Sequence, residues 1–322
     1  MKKNITQSPS FGKNKSRGIV VVGSVALDTI KTPFGEVKDA LGGSATYFSV
    51  AASYFAPVKM VAVVGKDFPA RHIRILKEKG IDTSGLVIDK TGRTFRWRGY
   101  YEYDLSNAHT LETQLNVFAR FIPVLSDEHR RTRYLFLGNI DPVLQKRILR
   151  DMASPALVGA DTMNFWIESK PDDLKEMISR VDVLIINEAE AREFSRQKNL
   201  VRAARKIISM GPRFLVVKRG EYGALVFNDE NKIFSAPGYP LEQISDPTGA
   251  GDSFAGGFMG YLASLNATRY DRDLFSKISR AVIYGSVMAS FNVESFSLKR
   301  LISLEKNDIA RRFREFERLT CF

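Results

Sequence analysis

The chain of 322 residues contains very little cysteine and histidine. Its one cysteine, Cys321, excludes a disulfide framework and a cysteine-based zinc site, because both need several thiols. The three histidines (His72, His109 and His129) are scattered, which argues against a histidine metal cluster and a histidine-dependent triad. No apolar run approaches the roughly 20 residues of a membrane span, and the N-terminal stretch lacks the apolar region of a secretory signal. We therefore expect a reduced, cytoplasmic protein without a membrane partner.

Positive charge is in excess, since 48 Lys and Arg against 36 Asp and Glu give a formal net charge of +12. Residues 1–17 contain no acidic residue and are expected to form a flexible basic arm. Arginines also accumulate in Asn307–Leu319, where we expect a surface helix that closes the domain. Solvated surface explains this charge, and the sequence has no RNA-recognition signature, zinc finger or basic zipper, so a nucleic-acid partner is not expected.

Apolar, β-branched segments alternate along the chain with amphipathic helical patterns. Each apolar run is continuous, which is typical of strands covered on both faces. The clearest strands are Ile19–Val22, Met60–Val64, Tyr134–Leu137, Val181–Ile186 and Phe214–Val217. The clearest helices are Pro69–Lys79, Pro142–Met152 and Asn199–Met210. This alternation predicts an α/β fold with a mostly parallel sheet, helices on both faces and ligands at the carboxyl ends of the strands.

Two segments interrupt the alternation, residues 31–41 and residues 93–118. We interpret them as a small β lid inserted into an α/β core that comprises residues 18–30, 42–92 and 119–322, with Gly42–Gly43 as a hinge. The lid aromatics Phe95, Trp97, Tyr100, Tyr101 and Tyr103 are candidate substrate contacts, because aromatic rings stack on nucleobases and sugars, and Arg96 and Arg98 could bind an acceptor that is already phosphorylated. A role in the core of the lid, or in a homodimer contact through the lid, explains them as well.

The stretch Asp246–Phe258 gives the strongest indication of chemistry. Gly249, Ala250 and Gly251 can form a tight turn whose N–H groups, with the N-terminus of the following helix, make an anion hole for a phosphoryl group. Asp252 lies at its mouth, where a carboxylate can accept the proton of an attacking hydroxyl. A turn with a helix N-cap and no chemistry is the alternative.

This stretch resembles the second signature of the ribokinase family, the PfkB carbohydrate kinases, and the resemblance extends over residues 18–305. The di-glycine Gly42–Gly43 matches the first signature, Asn187–Glu190 matches the N-x-x-E element, and Lys218–Gly223 matches the K-x-G-x-x-G turn. The resemblance implies a ribokinase-like three-layer fold. It also implies ATP-dependent transfer of the γ-phosphoryl group to the alcohol of a small molecule.

On the nucleotide side, the resemblance implies that Asn187 and Glu190 act on Mg²⁺ and the phosphates, in part through water. Both follow a strand at a carboxyl edge, although a helix N-terminus with an acidic first turn explains them equally. Further residues are implied to bind nucleotide or cations: Lys218, Gly220 and Gly223 along the phosphates, Thr248 in the preceding loop, Gly285 and Met288 at the adenine, and Asp246 at a monovalent cation site. Helix packing also explains Gly285 and Met288, and potassium is left open as a cofactor beside ATP and Mg²⁺.

The acceptor side departs from the family pattern. The resemblance implies that Asp28 and Gly42–Gly43 hold the acceptor. Asp161 and Asn164, after the strand Ala156–Ala160, loosely match a D-x-N feature of the family. Tyr47, however, stands where the family has an asparagine. We therefore expect a sugar-like alcohol as acceptor, with a nucleoside as the alternative. A non-catalytic regulatory or binding protein is a third hypothesis.

Overall fold

The computed structural model describes residues 18–105 and 107–319. The predicted basic arm and Cys321 lie outside these residues. Strands are found at β1 (Ile19–Val22), β2 (Ala26–Thr32), β3 (Gly35–Gly42), β4 (Val58–Gly65), β5 (Ile81–Asp89), β6 (Phe95–Tyr101), β7 (Ala108–Gln114), β8 (Tyr134–Leu137), β9 (Leu157–Ala160), β10 (Val183–Asn187), β11 (Phe214–Lys218), β12 (Ala224–Asn228) and β13 (Ile233–Ala236). Helices are found at α1 (Ser44–Ala52), α2 (Ala70–Glu78), α3 (Asp127–Arg130), α4 (Pro142–Asp151), α5 (Asn164–Ser169), α6 (Pro171–Ile178), α7 (Glu188–Ser195), α8 (Leu200–Ile208), α9 (Ala250–Ser264), α10 (Leu274–Asn292), α11 (Lys299–Ser303) and α12 (Lys306–Leu319).

Nine of these strands form one large sheet in the order β13-β12-β11-β10-β9-β8-β1-β4-β5. The strands from β11 to β5 in this order run parallel, while β12 and β13 add an antiparallel edge. The predicted α/β fold with a mostly parallel sheet is therefore confirmed.

Both faces of the sheet are covered, as the continuous apolar runs predicted. In β1, Ile19 and Val21 pack into the core on one face, whereas Val20 and Val22 pack into a second core on the other. Helices α1, α9 and α10 cover the first face, and α4, α6 and α8 cover the second. The result is a three-layer arrangement in which the carboxyl ends of the parallel strands meet at one edge.

The C-terminal helix α12 is more than a charged surface element. Its residues Ile309, Phe313 and Phe316 are 7% exposed or less and join the core on the α10 side. The Phe313 ring stacks on Tyr284 of α10 with the centroids 4.4 Å apart. The expected surface helix thus contributes one buried face, which is the usual stabilising interaction of an amphipathic helix.

The remaining four strands form a second sheet in the order β3-β2-β6-β7. Strand β2 begins at Ala26, so residues 26–30 pair within this sheet, which differs from the prediction that residues 18–30 belong to the core. Strand β3 ends at Gly42, directly before α1, which connects the second sheet to the large one. Within the described ranges, no helix combines the length and the apolar character needed to cross a membrane.

Candidate active site

Three polar side chains meet at the carboxyl ends of neighbouring strands. Asp161 directly follows β9, Asn187 ends β10 and Lys218 ends β11. Asn187 and Lys218 are paired in the parallel register of β10 and β11. The first turn of α9 lies against the same edge, since a Cβ atom on Gly251 would lie 2.8 Å from the Lys218 amine. The fold therefore brings the predicted phosphate-binding elements together.

Lys218 is a buried cation among carboxylates. Its Nζ lies 3.3 Å from Oδ2 of Asp161. Burial by itself lowers the pKa of this amine, but the carboxylates of Asp161, Glu190 and Asp252 outweigh that effect and raise the pKa. Lys218 consequently stays protonated and places a fixed positive charge beside the start of α9, where it can offset the charge of a phosphoryl group.

Asp252 occupies the first turn of α9. Burial raises its pKa to about 7, repulsion from Asp161 adds to the increase, and Lys218 opposes it. A carboxyl group with such a pKa exchanges protons near neutral pH, which is the property of an efficient general acid or base. The raised pKa and the position of Asp252 in the first turn of α9 are compatible with its predicted role as a proton acceptor.

The turn before α9 depends on Gly249. This residue precedes the helix with a φ of 75°, in the left-handed region that favours glycine. A Cβ atom here would also lie 2.4 Å from the ring of Tyr47. The N–H of Ala250 donates to the carbonyl of Pro247 at 3.1 Å and is therefore used by the turn itself. The predicted anion hole accordingly depends on the next N–H groups, at the beginning of the helix.

The loop before this turn is tied to two distant parts of the chain. The buried carboxylate of Asp246 accepts the N–H of Thr248 at 2.9 Å and the N–H of Ser297 at 3.1 Å, one on each oxygen. The hydroxyls of Thr248 and Tyr101 lie 3.2 Å apart, which connects the loop to β6 of the second sheet. Tyr101 is one of the lid aromatics expected to contact the acceptor, but the sequence did not predict its contact with Thr248. Its position in an aromatic stretch of the lid was the available signal.

On the acceptor side, Asp28 lies in β2 and is 4% exposed. Burial raises its pKa to about 8, repulsion from Asp246 adds to this, and the N–H of Gly43 opposes it. Gly42 leaves room for the carboxylate, because a Cβ atom there would lie 1.8 Å from Oδ2 of Asp28. The di-glycine and the aspartate are thus in direct contact.

Tyr47 lies between the acceptor aspartate and the turn before α9. Its side chain is 1% exposed and its ring packs on Gly249. Burial, then the charges of Asp28 and Asp246, raise the pKa of the phenol well above its usual value. The tyrosine that replaces the family's asparagine therefore borders the site as a neutral hydroxyl.

Asn187 and Glu190 form a capping box at the start of α7. The Asn187 side chain accepts the Glu190 N–H at 2.8 Å, and Oε2 of Glu190 accepts the Asn187 N–H at 2.8 Å. Burial raises the pKa of Glu190 to about 7, Asp161 adds to this, and Lys218 opposes it. The alternative interpretation of this motif, a helix N-terminus, is therefore confirmed. The capping box uses one carboxylate oxygen of Glu190 and leaves the other oxygen outside it.

A magnesium ion fits this edge only in company with a nucleotide. No three His, Cys, Asp or Glu side chains in the described ranges form a group that could hold a metal ion. Proteins commonly bind Mg²⁺ through one or two carboxylates, substrate phosphates and several waters. A contribution of Glu190 to such a site remains a prediction.

The predicted nucleotide residues fall into two groups. Gly220 and Gly223 lie in the turn between β11 and β12, and a Cβ atom on Gly220 would meet no atom within 4 Å. Gly220 therefore borders open space, whereas Gly223 is packed, since a Cβ atom there would lie 2.1 Å from the carbonyl oxygen of Ala236. Gly285 and Met288, in contrast, lie on the side of α10 that packs against α9. A Cβ atom on Gly285 would lie 2.9 Å from a backbone oxygen of α9, and Met288 is 0% exposed. Helix packing, the alternative for these two residues, accounts for their positions.

The other predicted acceptor residues have partners inside the lid or face solvent. Phe95 stacks on Phe118 with the ring centroids 5.4 Å apart. The Trp97 indole donates to the Thr110 hydroxyl at 3.1 Å. Asn164 is the exposed first residue of α5. Contacts of these residues with an acceptor remain a prediction.

Comparison with known proteins supplies the family. The model of the "pfkB family carbohydrate kinase" matches residues 16–303. The chain is 31% identical over 247 residues to the cytidine kinase of Thermococcus kodakarensis, which covers 76% of this chain and 88% of that protein. It is 24% identical over 298 residues to the nucleoside kinase of Methanocaldococcus jannaschii, which covers 87% of this chain and 92% of that protein.

Solved structures support the same fold. The structure of the Methanocaldococcus jannaschii nucleoside kinase, an archaeal member of the ribokinase family, has a TM-score of 0.75 at 21% identity and covers 94% of this chain and 99% of its own. The Burkholderia thailandensis nucleoside kinase in complex with inosine has a TM-score of 0.73 at 16% identity and covers 92% and 98%. From the family match and the shared fold, the chain belongs to the PfkB family of carbohydrate kinases and is a phosphotransferase with an alcohol group as acceptor.

Proposed function

We propose that this kinase transfers the γ-phosphoryl group of ATP to a hydroxyl of a nucleoside, with Asp252 as the general base. One observation carries the catalytic part: Asp252, whose pKa is raised to about 7, lies in the first turn of α9 beside the buried cation Lys218. Three relatives support a nucleoside as acceptor, because they are described as one cytidine kinase and two nucleoside kinases. The sequence alone had favoured a sugar-like alcohol.

In this reaction, the acceptor hydroxyl gives its proton to Asp252 while its oxygen attacks the γ-phosphorus in line. A new P–O bond forms, the bond from the γ-phosphorus to the bridging oxygen breaks, and ADP leaves with that electron pair. The helical N–H groups at the start of α9 and the Lys218 amine stabilise the charge of the transferred group. Glu190 would hold Mg²⁺ that binds with ATP, in part through water, and the ion would supply further charge neutralisation.

The acceptor is held on the other side by Asp28, against Gly42–Gly43, and by Tyr47. Asp28 is buried and close to Asp246, so a hydrogen bond with an acceptor hydroxyl offsets part of the cost of burying its carboxyl group. The second sheet covers the acceptor and excludes water in this proposal, and it already contacts the loop before α9 through Tyr101 and Thr248. A potassium site at Asp246 remains a prediction, and so does a homodimer through the lid.

An unphosphorylated sugar-like alcohol is the second candidate acceptor. Relatives in this class include the inositol 3-kinase of Oryza sativa, 26% identical over 282 residues. A phosphorylated sugar is disfavoured by one contact of the lid. Arg96 could bind such a phosphate, but its guanidinium is already ion-paired with Asp39 and, at 3.1 Å, with Asp67.

The test is ADP release with ATP and Mg²⁺ across cytidine, other nucleosides, ribose, inositol and fructose 6-phosphate. We expect turnover with a nucleoside, and a loss of about 10²-fold or more in Asp252→Asn, the range for general-base catalysis. ATP affinity should persist in this variant, and Asp172→Asn, which changes an exposed carboxyl on α6, should behave as wild type.

The pH profile gives a second readout of the base. Because Asp252 must be ionised to accept a proton, kcat/KM should fall as the pH drops through about 7. Turnover with sugars alone would overturn the nucleoside assignment. Full activity of Asp252→Asn would overturn the role of Asp252 while leaving the acceptor assignment intact.

A further inference from the structure

A cavity lies at the opposite end of the large sheet from the candidate active site. Its volume is about 410 Å³. It is lined by residues that precede β8, β9 and β10, among them Arg133, Ala156 and Arg180, and by residues 268–270 after α9. Because these strands are parallel, their amino ends are separated from Asp161 and Asn187 by the full length of the strands. A ligand here would not compete with ATP.

The cavity has an excess of positive charge, from Arg133, Arg180 and Arg269. The Arg269 guanidinium lies 3.2 Å from the carboxylate of Asp182. Arg180 lies 2.7 Å from Glu176, which also pairs with Lys146 at 2.6 Å. In the described part of the chain, no carboxylate lies within 4.0 Å of the Arg133 guanidinium. Among the described residues, the three arginines therefore have two carboxylate partners, Asp182 and Glu176. The remaining positive charge favours binding of an anion in this cavity.

One of these arginines is held in place before any ligand arrives. The Arg269 side chain donates to the Pro155 carbonyl at 2.8 Å, and its backbone N–H donates to the Ala156 carbonyl at 3.1 Å. The loop that carries it is fixed by a bond from the Thr268 hydroxyl to Asp271 at 2.7 Å. A donor that is already ordered loses little conformational entropy on binding, so this loop is preorganised for recognition.

The same loop presents an aromatic ring to solvent at the cavity. Tyr270 is 87% exposed although its neighbours are tied down, and Leu149 and Val158 add apolar wall. Exposed aromatic rings of this kind stack on planar or apolar ligand groups. Arginine binds phosphate through paired N–H donors, and a cavity within roughly 300–1,000 Å³ suits a small molecule.

We propose that this cavity binds a small molecule that carries a phosphomonoester group, such as a nucleoside monophosphate or a sugar phosphate. Arg133, Arg180 and Arg269 contact the phosphate, and Tyr270 packs against the remainder of the ligand. This inference does not depend on the acceptor or on the general base, because it concerns binding at the other end of the sheet.

The experiment is calorimetric titration of the full chain with cytidine 5′-monophosphate, ribose 5-phosphate and inorganic phosphate at low salt. It compares wild type with the double variant Arg133→Gln/Arg180→Gln and with Arg74→Gln, a matched loss of charge on the exposed face of α2. We expect a probe to bind wild type and to lose roughly tenfold or more in affinity in the double variant, since both charge-assisted contacts are removed. Binding to Arg74→Gln should be unchanged.

The double variant should keep the melting temperature and the kcat of wild type, since both substituted side chains are exposed and distant from Asp252. Absence of binding to wild type, an unchanged affinity in the double variant, or an equal loss in Arg74→Gln would each overturn the proposal. Equal affinity for all three probes would support recognition of the phosphate alone. Preference for cytidine 5′-monophosphate that disappears in Tyr270→Ala would support recognition of the base as well.

Discussion

Replacing Asp28 with asparagine should stabilise the protein while it impairs phosphoryl transfer. The carboxyl group of Asp28 is 4% exposed, and its pKa rises from the ordinary value of 3.8 to about 8, first through burial and then through repulsion from Asp246. An amide of nearly the same shape carries no charge at any pH. The variant therefore removes the cost of keeping this group in the folded protein but loses the carboxyl group proposed to hold the acceptor.

The size and the sign of the effect follow from proton linkage. Between pH 3.8 and about 8, the folded protein holds a proton on Asp28 that the unfolded chain has released. The stability that this group contributes is fully present below pH 3.8 and is lost as the pH rises towards 8. At pH 7 the loss is at most about 4 kcal/mol, because each unit between the unfolded pKa and the pH costs about 1.4 kcal/mol. Structural relaxation around the charged form reduces this figure, so we expect a gain of about 1–4 kcal/mol in Asp28→Asn.

Urea unfolding of both proteins between pH 4 and pH 8 measures this difference. The free energy of unfolding of Asp28→Asn should exceed that of wild type by an amount that is small near pH 4 and grows with pH. Asp172→Asn serves as control, because its carboxyl lies on the exposed surface of α6 and should give no such trend. A difference that does not vary with pH, or a variant that is less stable at pH 7, would refute the assigned protonation of Asp28.

Two further substitutions test the turn before α9 and its contact with the lid. Tyr101→Phe removes the hydroxyl that lies 3.2 Å from Thr248 and should lower kcat/KM by about 2- to 10-fold, the value of one hydrogen bond, whereas Tyr103→Phe, at an 85% exposed side chain, should change nothing. Gly249→Ala should abolish most activity and destabilise the fold by well over ~1 kcal/mol, because it adds a clash at 2.4 Å to a φ of 75°. Gly220→Ala has a φ of 57° but no atom within 4 Å and should cost only about 1 kcal/mol. Equal stability losses in the two alanine variants, or a larger kinetic effect from Tyr103 than from Tyr101, would contradict these assignments.

The large sheet was predictable from sequence because two-sided burial has a local signature. In Val183–Ile186, each residue faces one of two cores, so the whole run is apolar. The boundaries of the second sheet have no such signature. Strand β2 pairs with β6, about 70 residues away, and nothing in Ala26–Ile30 itself distinguishes a strand of the second sheet from an extension of the first. The buried face of α12 was similarly hidden, because charged residues dominate its composition.

Part of the candidate site was predictable from the rule that ligands bind at the carboxyl ends of parallel strands. Asn187 and Lys218 both end strands, and the rule alone places them at one edge. The ion pair of Lys218 with Asp161 also needs the strand order, which the sequence does not provide. The contact between Tyr101 and Thr248 depends on the orientation of the second sheet relative to the large sheet, and the sequence patterns do not determine that orientation.

The electrostatics of this edge bear on the Mg²⁺ that we propose to accompany ATP. One lysine, Lys218, faces three carboxylates, and two of these, Glu190 and Asp252, have a pKa raised to about 7. An anionic nucleotide placed beside them raises both values further, which keeps Asp252 protonated and unable to accept a proton at neutral pH. A cation that arrives with the phosphates reverses this effect and returns Asp252 to its ionised form. Under the proposed mechanism, nucleotide alone should therefore inactivate Asp252, and nucleotide with Mg²⁺ should restore it.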